Sequence, residues 1–275
     1  MISSVRIPAQ AKPAGAPCRP AGFFAALAAA VLALSCPGAA AAPPELTVPA
    51  TNVLDAVHAR YAAVSNVLCT VRRSVLIGGK DGGSGESVSR IVWQRGDKLN
   101  VQRISPERRR TVIDGATVWT ASDGQESPVS FPVSEQLPSQ AANLRAVPGS
   151  PEEVLSVLDP ATAEDLARAG DSAARRVAFA VSDEESQVAR AVLSIDGNGF
   201  VASLQGYSDD AMATPLFKTV FSAPAEVLPG VMLFRKIVTE SEAGGRTLSA
   251  VSSFERLRVN ETLAPATFDA KAFFK

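Results

Sequence analysis

Catalysis by a general acid, base or nucleophile needs paired groups that move a proton between them, and this chain offers few candidates. It has one histidine, His58, which leaves a Ser-His-Asp triad a single possible base and excludes a zinc site built from several imidazoles. His58 stands beside the apolar stripe of a predicted helix, a position that suits the rim of a core. No G-x-S-x-G, H-E-x-x-H or C-x-x-C occurs. Asp209-Asp210 and Asp183-Glu184-Glu185 pair carboxylates, but in turn-like polar stretches where solvated loop charge is the simpler account. In the glycine-rich segment 78–85, Lys80 is followed by Asp81 and then by a predicted strand; a phosphate loop needs Gly-Lys-Ser/Thr opening a helix. The segment therefore reads as a hairpin tip. No catalytic residue, metal ligand or cofactor is assigned, and the chain reads as a non-enzyme.

Two further features carry reactive or charged groups. Cys69 follows the apolar Val67-Leu68 and reads as a buried structural thiol. Arg108-Arg109-Arg110 is the one notable charge run, readable as a docking patch for an anionic head group or acidic partner, or as an exposed edge protected from pairing by its charge.

The amino terminus reads as an export signal. Arg6, Lys12 and Arg19 precede an apolar run over 23–34 that is short for a membrane span, and no acid occurs before residue 45. Ala39-Ala40-Ala41 offers a cleavage site that would make 1–41 a signal peptide. Leu32-Ala33-Leu34-Ser35-Cys36 offers the alternative of lipidation at Cys36, which would anchor the protein to a membrane. Removal of 1–41 takes three basic residues and no acid, leaving 24 Lys+Arg against 28 Asp+Glu. Such a balance gives no basic face for nucleic acid and no pull toward an anionic membrane surface. Cys69 is then the sole cysteine, so no intrachain disulfide is expected.

The elements that must position any site follow in order. Residues 42–50 are proline-rich and read as an extended leader. A helix is predicted next, with Thr51 or Asn52 as cap and Val53, Leu54, Val57, Tyr61, Val64 and Leu68 on one stripe. A strand over 70–77 follows. Segment 127–149 is proline-rich and reads as a lid or crossover; Ser150-Pro151 opens a helix with Val154, Leu155 and Leu158 on its apolar face, and 162–169 reads as a further short helix. Strands at 176–182, 187–195, 200–207, 216–223, 231–240 and 246–254 are separated by turn signals such as Pro229-Gly230.

The densest strand pattern is SVSRIVWQRGDKLNVQRISPERRRTVIDGATVWT, residues 87–120, four short strands joined by turns at Arg95-Gly96-Asp97 and Asp114-Gly115. The order of strand, arginine-containing turn, strand, basic segment and IDGATVW resembles the periplasmic lipoprotein carriers of the LolA/LolB-like family, in which a VSDGKTLW-type hairpin follows such a turn. The later LSIDGNGFVASLQGY, LPGVMLFRKIV and LRVNETLAPATFDA, ending with Asn260 and Phe268, are similar to its longer sorting-protein members. Gly96 stands where a proline commonly follows the arginine.

The resemblance implies a mainly β, α+β fold: an unclosed antiparallel β-barrel of about eleven strands, by the turn count, with helices covering the concave opening and residues 51–275 as a single domain. It implies an envelope carrier or binding protein for lipidated proteins or lipids, acyl chains being held in the half-barrel. The alternatives it leaves open are a non-transporting envelope sensor or regulator and a membrane-anchored acceptor. A monomer is expected, meeting release proteins at the inner membrane and acceptors at the outer membrane. Alternation within the strands puts Leu99, Val101, Leu193, Ile195, Leu204 and Phe234 on the concave face, as a lined cavity or as a dry core, with Leu54, Val57 and Tyr61 on the lid helix. By the resemblance, Arg95 is the latch that bonds lid backbone.

Overall fold

Among the described residues, thirteen antiparallel strands form one open sheet in the order β6-β5-β4-β3-β2-β1-β13-β12-β11-β10-β9-β8-β7. The computed structural model describes residues 48–78, 82–125, 127–133, 145–167, 174–181, 187–243 and 246–273. The predicted signal with Cys36, the leader as far as residue 47, the acidic run 183–185 and the tip residues 79–81 lie outside the described residues. The strands are β1 Asn66–Ile77, β2 Gly83–Gln94, β3 Lys98–Ser105, β4 Arg109–Asp114, β5 Thr117–Ser122, β6 Val129–Pro132, β7 Leu158–Leu166, β8 Arg175–Val181, β9 Arg190–Ile195, β10 Val201–Tyr207, β11 Pro215–Leu228, β12 Val231–Ala243 and β13 Arg246–Val259. Each half of the chain is a meander, and the halves join where β1 pairs with β13.

Among the described residues the helices are α1 Val53–Tyr61, preceded by a 3-10 turn Ala50–Asn52, the single-turn α2 Glu152–Leu155, and α3 Ala270–Phe273 after a 3-10 turn Pro265–Phe268. The 78–85 segment joins β1 to antiparallel β2 and so is a hairpin connection. The Arg95 turn explains its missing proline: Gly96 has φ +94°, which a pyrrolidine ring locked near −65° cannot take.

Three expectations are corrected. The sheet has two strands beyond the eleven expected, β6 inside the proline-rich segment and β7 where a helix is predicted over 162–169. The run Ala163-Glu164-Asp165-Leu166-Ala167 is a good helix sequence, but pairing of Leu166 with Arg176 and Leu158 with Val181 overrides it. Pro160 is tolerated because β7 is an edge strand, with a register shift between Asp159 and Glu164. Finally, α1 stops at Tyr61, short of Val64 and Leu68. Asn66 already pairs with Gln94, and Leu68 with Val92 and Arg258, so the ladder claims the backbone the helix would need.

One face of the sheet, here called inner, carries α1 and the main core. Side chains directly opposite across an antiparallel ladder share a face, so the register traces this face from Val67, Cys69 and Val71 of β1 to Trp93, Ile91 and Leu99. On the other side it runs through Phe254, Ile237, Phe221, Leu204, Leu193 and Val177. Val53, Leu54, Val57 and Tyr61 of α1 are buried in the same cluster. Trp93 belongs to this core; Trp119 lies opposite Val112 on the outer face. There the carboxy-terminal segment covers β3 and β4, and buried Asn100 donates from Nδ2 to the Thr267 carbonyl at 2.7 Å.

Candidate ligand-binding site

Among the described residues, two pieces of chain cover the inner face: α1, and the segment 145–157 that contains α2. Ala146 to Glu152 are all buried, although the run contains two prolines and a glycine. A buried loop must satisfy its own polar groups. Here Val147 N–H donates to Glu152 Oε2 at 3.0 Å, Glu152 N–H to Ser150 Oγ at 3.2 Å, and Phe234 N–H on β12 to the Gly149 carbonyl at 2.7 Å. Gly149 has φ +79°, and a Cβ there would meet the Phe234 carbonyl at 3.3 Å.

The end of α1 is tied by Arg95. Its Nη2 donates to the Tyr61 carbonyl at 2.8 Å and its Nε to the Val64 carbonyl at 3.2 Å, while its guanidinium lies 5.5 Å from the Trp93 ring centre. The Tyr61 carbonyl ends the helix, where unsatisfied acceptors and the dipole both favour a cation, and the Val64 carbonyl lies in the connection to β1. Asn260 completes the same corner, with Nδ2 donating to the Ala63 carbonyl at 2.9 Å and Oδ1 accepting from Ser65 N–H at 2.7 Å. Elsewhere along α1, Arg60 donates from Nη1 to the Gly199 carbonyl at 2.6 Å and Tyr61 from its hydroxyl to the Met232 carbonyl at 3.1 Å. Burial, then the Glu152 charge, pushes the Tyr61 phenol upward, so it stays a neutral donor. His58 Nδ1 lies 3.1 Å from Glu152 Oε1, joining α1 to α2.

Between α2 and strands β8 to β11 lies a cavity of about 210 Å³, walled by Val154, Val157, Leu158, Leu204, Phe217 and Glu153. It is mostly apolar, with Glu153 and Ser156 as its polar lining residues, and large against the ~30 Å³ share of one water. Its floor owes its shape to Gly206: a Cβ there would fall 2.1 Å from the Phe217 ring, so the ring lies flat over the glycine. Glu153 is partly buried and lines this cavity. Desolvation pushes its carboxyl up to about 7, opposed by the Gly149 amide at 3.4 Å and by the charge of Arg73. Cys69 is buried, and the same desolvation pushes its thiol up to about 12, an inert position for a nucleophile.

Of the residues the sequence placed on the concave face, Leu204 lines the cavity. Leu193, Ile195 and Phe234 are 0%, 1% and 4% exposed and pack within the core, Phe234 with its ring 5.4 Å from Phe221. Leu99 is partly buried against that core; Val101, half-buried, faces Ile91 and Thr111 farther along the inner face. Leu54, Val57 and Tyr61 face the core from α1. Sequence reasoning missed Glu153, Val157 and Phe217. An acid directly before the apolar Val154-Leu155 was the one available signal for Glu153. Among the described residues no cluster of His, Cys, Asp or Glu could hold a metal, and no helix is long and apolar enough to cross a membrane. Asp210 accepts from Arg190 at 2.8 Å and Asp209 from the Met212 amide at 3.1 Å.

No family model matches the chain, and no curated protein matches it. Solved structures do. A LolA superfamily protein from Nitrosomonas europaea is 13% identical with a TM-score of 0.54, the match covering 82% of this chain and 99% of that one. A putative outer membrane lipoprotein-sorting protein domain from Vibrio parahaemolyticus gives 14%, 0.55, 82% and 98%. A DUF1329 family protein from Desulfovibrio piger gives 14%, 0.52, 82% and 99%.

Proposed function

From a chain with the LolA-like fold, we propose an exported carrier or binding protein that shelters the acyl chains of lipids or lipidated proteins beneath a lid of α1 and α2. The observation that carries this reading is the apolar cavity under α2, walled by the inner face on one side and a single helical turn on the other. Each buried methylene stabilises a bound chain by about 0.8 kcal/mol, so a chain entering this space gains what it cannot have in water. A one-turn helix has little stability of its own. Its displacement enlarges the space toward the 300–1,000 Å³, roughly, of a ligand pocket.

Export follows from reading 1–41 as a signal, and placement in the envelope from the same reading. The protein acts as a monomer, taking cargo from one membrane-bound partner and passing it to another. The mass of the mature amino terminus separates a free carrier, processed after Ala41, from an anchored acceptor acylated at Cys36.

The test is retention. Protein purified from its native envelope is extracted and its lipids identified by mass spectrometry, and a fluorescent fatty acid is titrated into the delipidated protein. A carboxylate introduced by Val157→Glu should abolish most retention, whereas Glu242→Gln on exposed β12 should leave it unchanged. Folded wild-type protein that carries no lipid and takes up no fatty acid would sink the carrier reading.

A further inference from the structure

The register sets three arginines side by side on the inner face, beyond the end of the core. Arg73 of β1 lies opposite Ser87 and Ser252, and Arg103 of β3 lies opposite Ser89 and Arg109 of β4. The run Arg108-Arg109-Arg110 is thereby divided: Arg109 shares the inner face with Arg103, while Arg110 points to the other side. Arg73 and Arg103 wall an open hollow of about 210 Å³ together with Val75, Ser87 and Pro106. Glu86 borders it from a position of opposite parity on β2. Among the described residues no salt bridge reaches Arg73 or Arg103, and Arg109 is held only by Nε donating to Thr120 Oγ1 at 3.0 Å. Like charges facing each other across a ladder are destabilising. Arg103 and Arg109 face each other in this way, and a bound anion would offset their repulsion.

The hollow and the α2 cavity lie on one floor. From Val75 the register crosses Ala250, Thr239 and Thr219 to Leu204, four strand spacings or about 19 Å along the sheet. The residues between are small; Thr239 is partly exposed, and Ala250 and Thr219 are buried. Glu153 connects the two ends: it lines the cavity and feels the charge of Arg73.

We infer that the inner face binds an anionic amphiphile lengthwise, its phosphate or carboxylate head between Arg73 and Arg103 and its hydrocarbon chain running over Ala250 and Thr239 toward the cavity under α2. The apolar half of this inference rests on the carrier reading; the charged half adds the class of cargo, lipids with an acidic head in preference to neutral acylglycerols. Guanidinium forks suit such heads because they donate two parallel hydrogen bonds to one oxyanion.

The experiment compares ligands of equal chain length on the full delipidated protein: palmitoyl lysophosphatidic acid, monopalmitoylglycerol and inorganic phosphate. The charged lipid should bind about tenfold more tightly than the neutral one, the gain expected of a charge-assisted contact. The double variant Arg73→Gln/Arg103→Gln should bring the two within about twofold, Arg73→Lys/Arg103→Lys should keep part of the preference, and Arg90→Gln on the outer face should keep all of it. Equal binding of both lipids by the wild type overturns the inference and leaves the carrier reading standing. Binding of phosphate as tight as that of the charged lipid also overturns it, since the chain would then contribute nothing. If neither lipid binds, both readings fail.

Discussion

The Arg95 guanidinium holds the Tyr61 carbonyl at 2.8 Å across the sheet-to-helix corner, so a side chain from the β2–β3 turn closes the last turn of α1. A second bond, to the Val64 carbonyl, uses another nitrogen of the same fork. Lysine, a single ammonium, has no such fork to span both carbonyls.

Replacement of Arg95 by Leu should therefore loosen α1 without unfolding the sheet. Hydrogen bonds to charged groups contribute about 1.5–3 kcal/mol at most. Release of a bound fluorescent fatty acid should be about tenfold faster, with a Tm lowered by only a few degrees. Stopped-flow release and thermal denaturation read the two effects separately, and Arg95→Lys should fall between. An unchanged release rate in a folded Leu variant would remove the latch.

Gly206→Ala tests the cavity floor. A methyl group at this site collides with the Phe217 ring, which must swing off the strand into the space beneath α2. Fatty-acid capacity should fall while the sheet, judged by circular dichroism, is retained at a cost of about 1–3 kcal/mol.

Glu153 should make stability pH-dependent. Its folded carboxyl sits near 7, above the ordinary carboxylate range, so the folded state keeps a proton that the unfolded state loses. This contribution weakens as pH rises from about 4.5 and is lost above about 7. Denaturant titrations of Glu153→Gln should show a flatter profile over that window and greater stability than wild type at pH 8. Parallel profiles would mean the carboxyl is solvated.

His58→Ala removes the contact between α1 and Glu152. Glu152 keeps its bond from the Val147 amide, so the loss should be small, about 1 kcal/mol. Hydrogen exchange should nevertheless quicken over 146–157, the covering segment, and leave β9 and β10 unchanged.

Much of the sheet was legible in local pattern. Alternation in Ile91 and Trp93, and turn chemistry at Gly115 and Pro229-Gly230, placed strands wherever side-chain periodicity and φ preference agree. β6 and β7 escaped because each carries a proline and is held by a neighbour's ladder rather than its own propensity, and β6 is only four residues long. Residue types also gave the lid stripe of α1, since Val53, Leu54, Val57 and Tyr61 repeat at helical spacing, but not its end.

What the sequence by itself determined is an antiparallel, turn-punctuated chain with an apolar helix and an arginine at a strand turn. Only the tertiary structure decided which side of each strand meets the lid. Val192 and Leu193 are both fully buried, and Leu233 and Phe234 nearly so, so hydrophobicity cannot rank their faces; ladder register and its bulges do. The same holds for charge. Arg73, Arg103 and Arg109 stand far apart in the chain and become neighbours only because β1 through β4 pair in that register, a relationship set by long-range hydrogen bonding that no local pattern records.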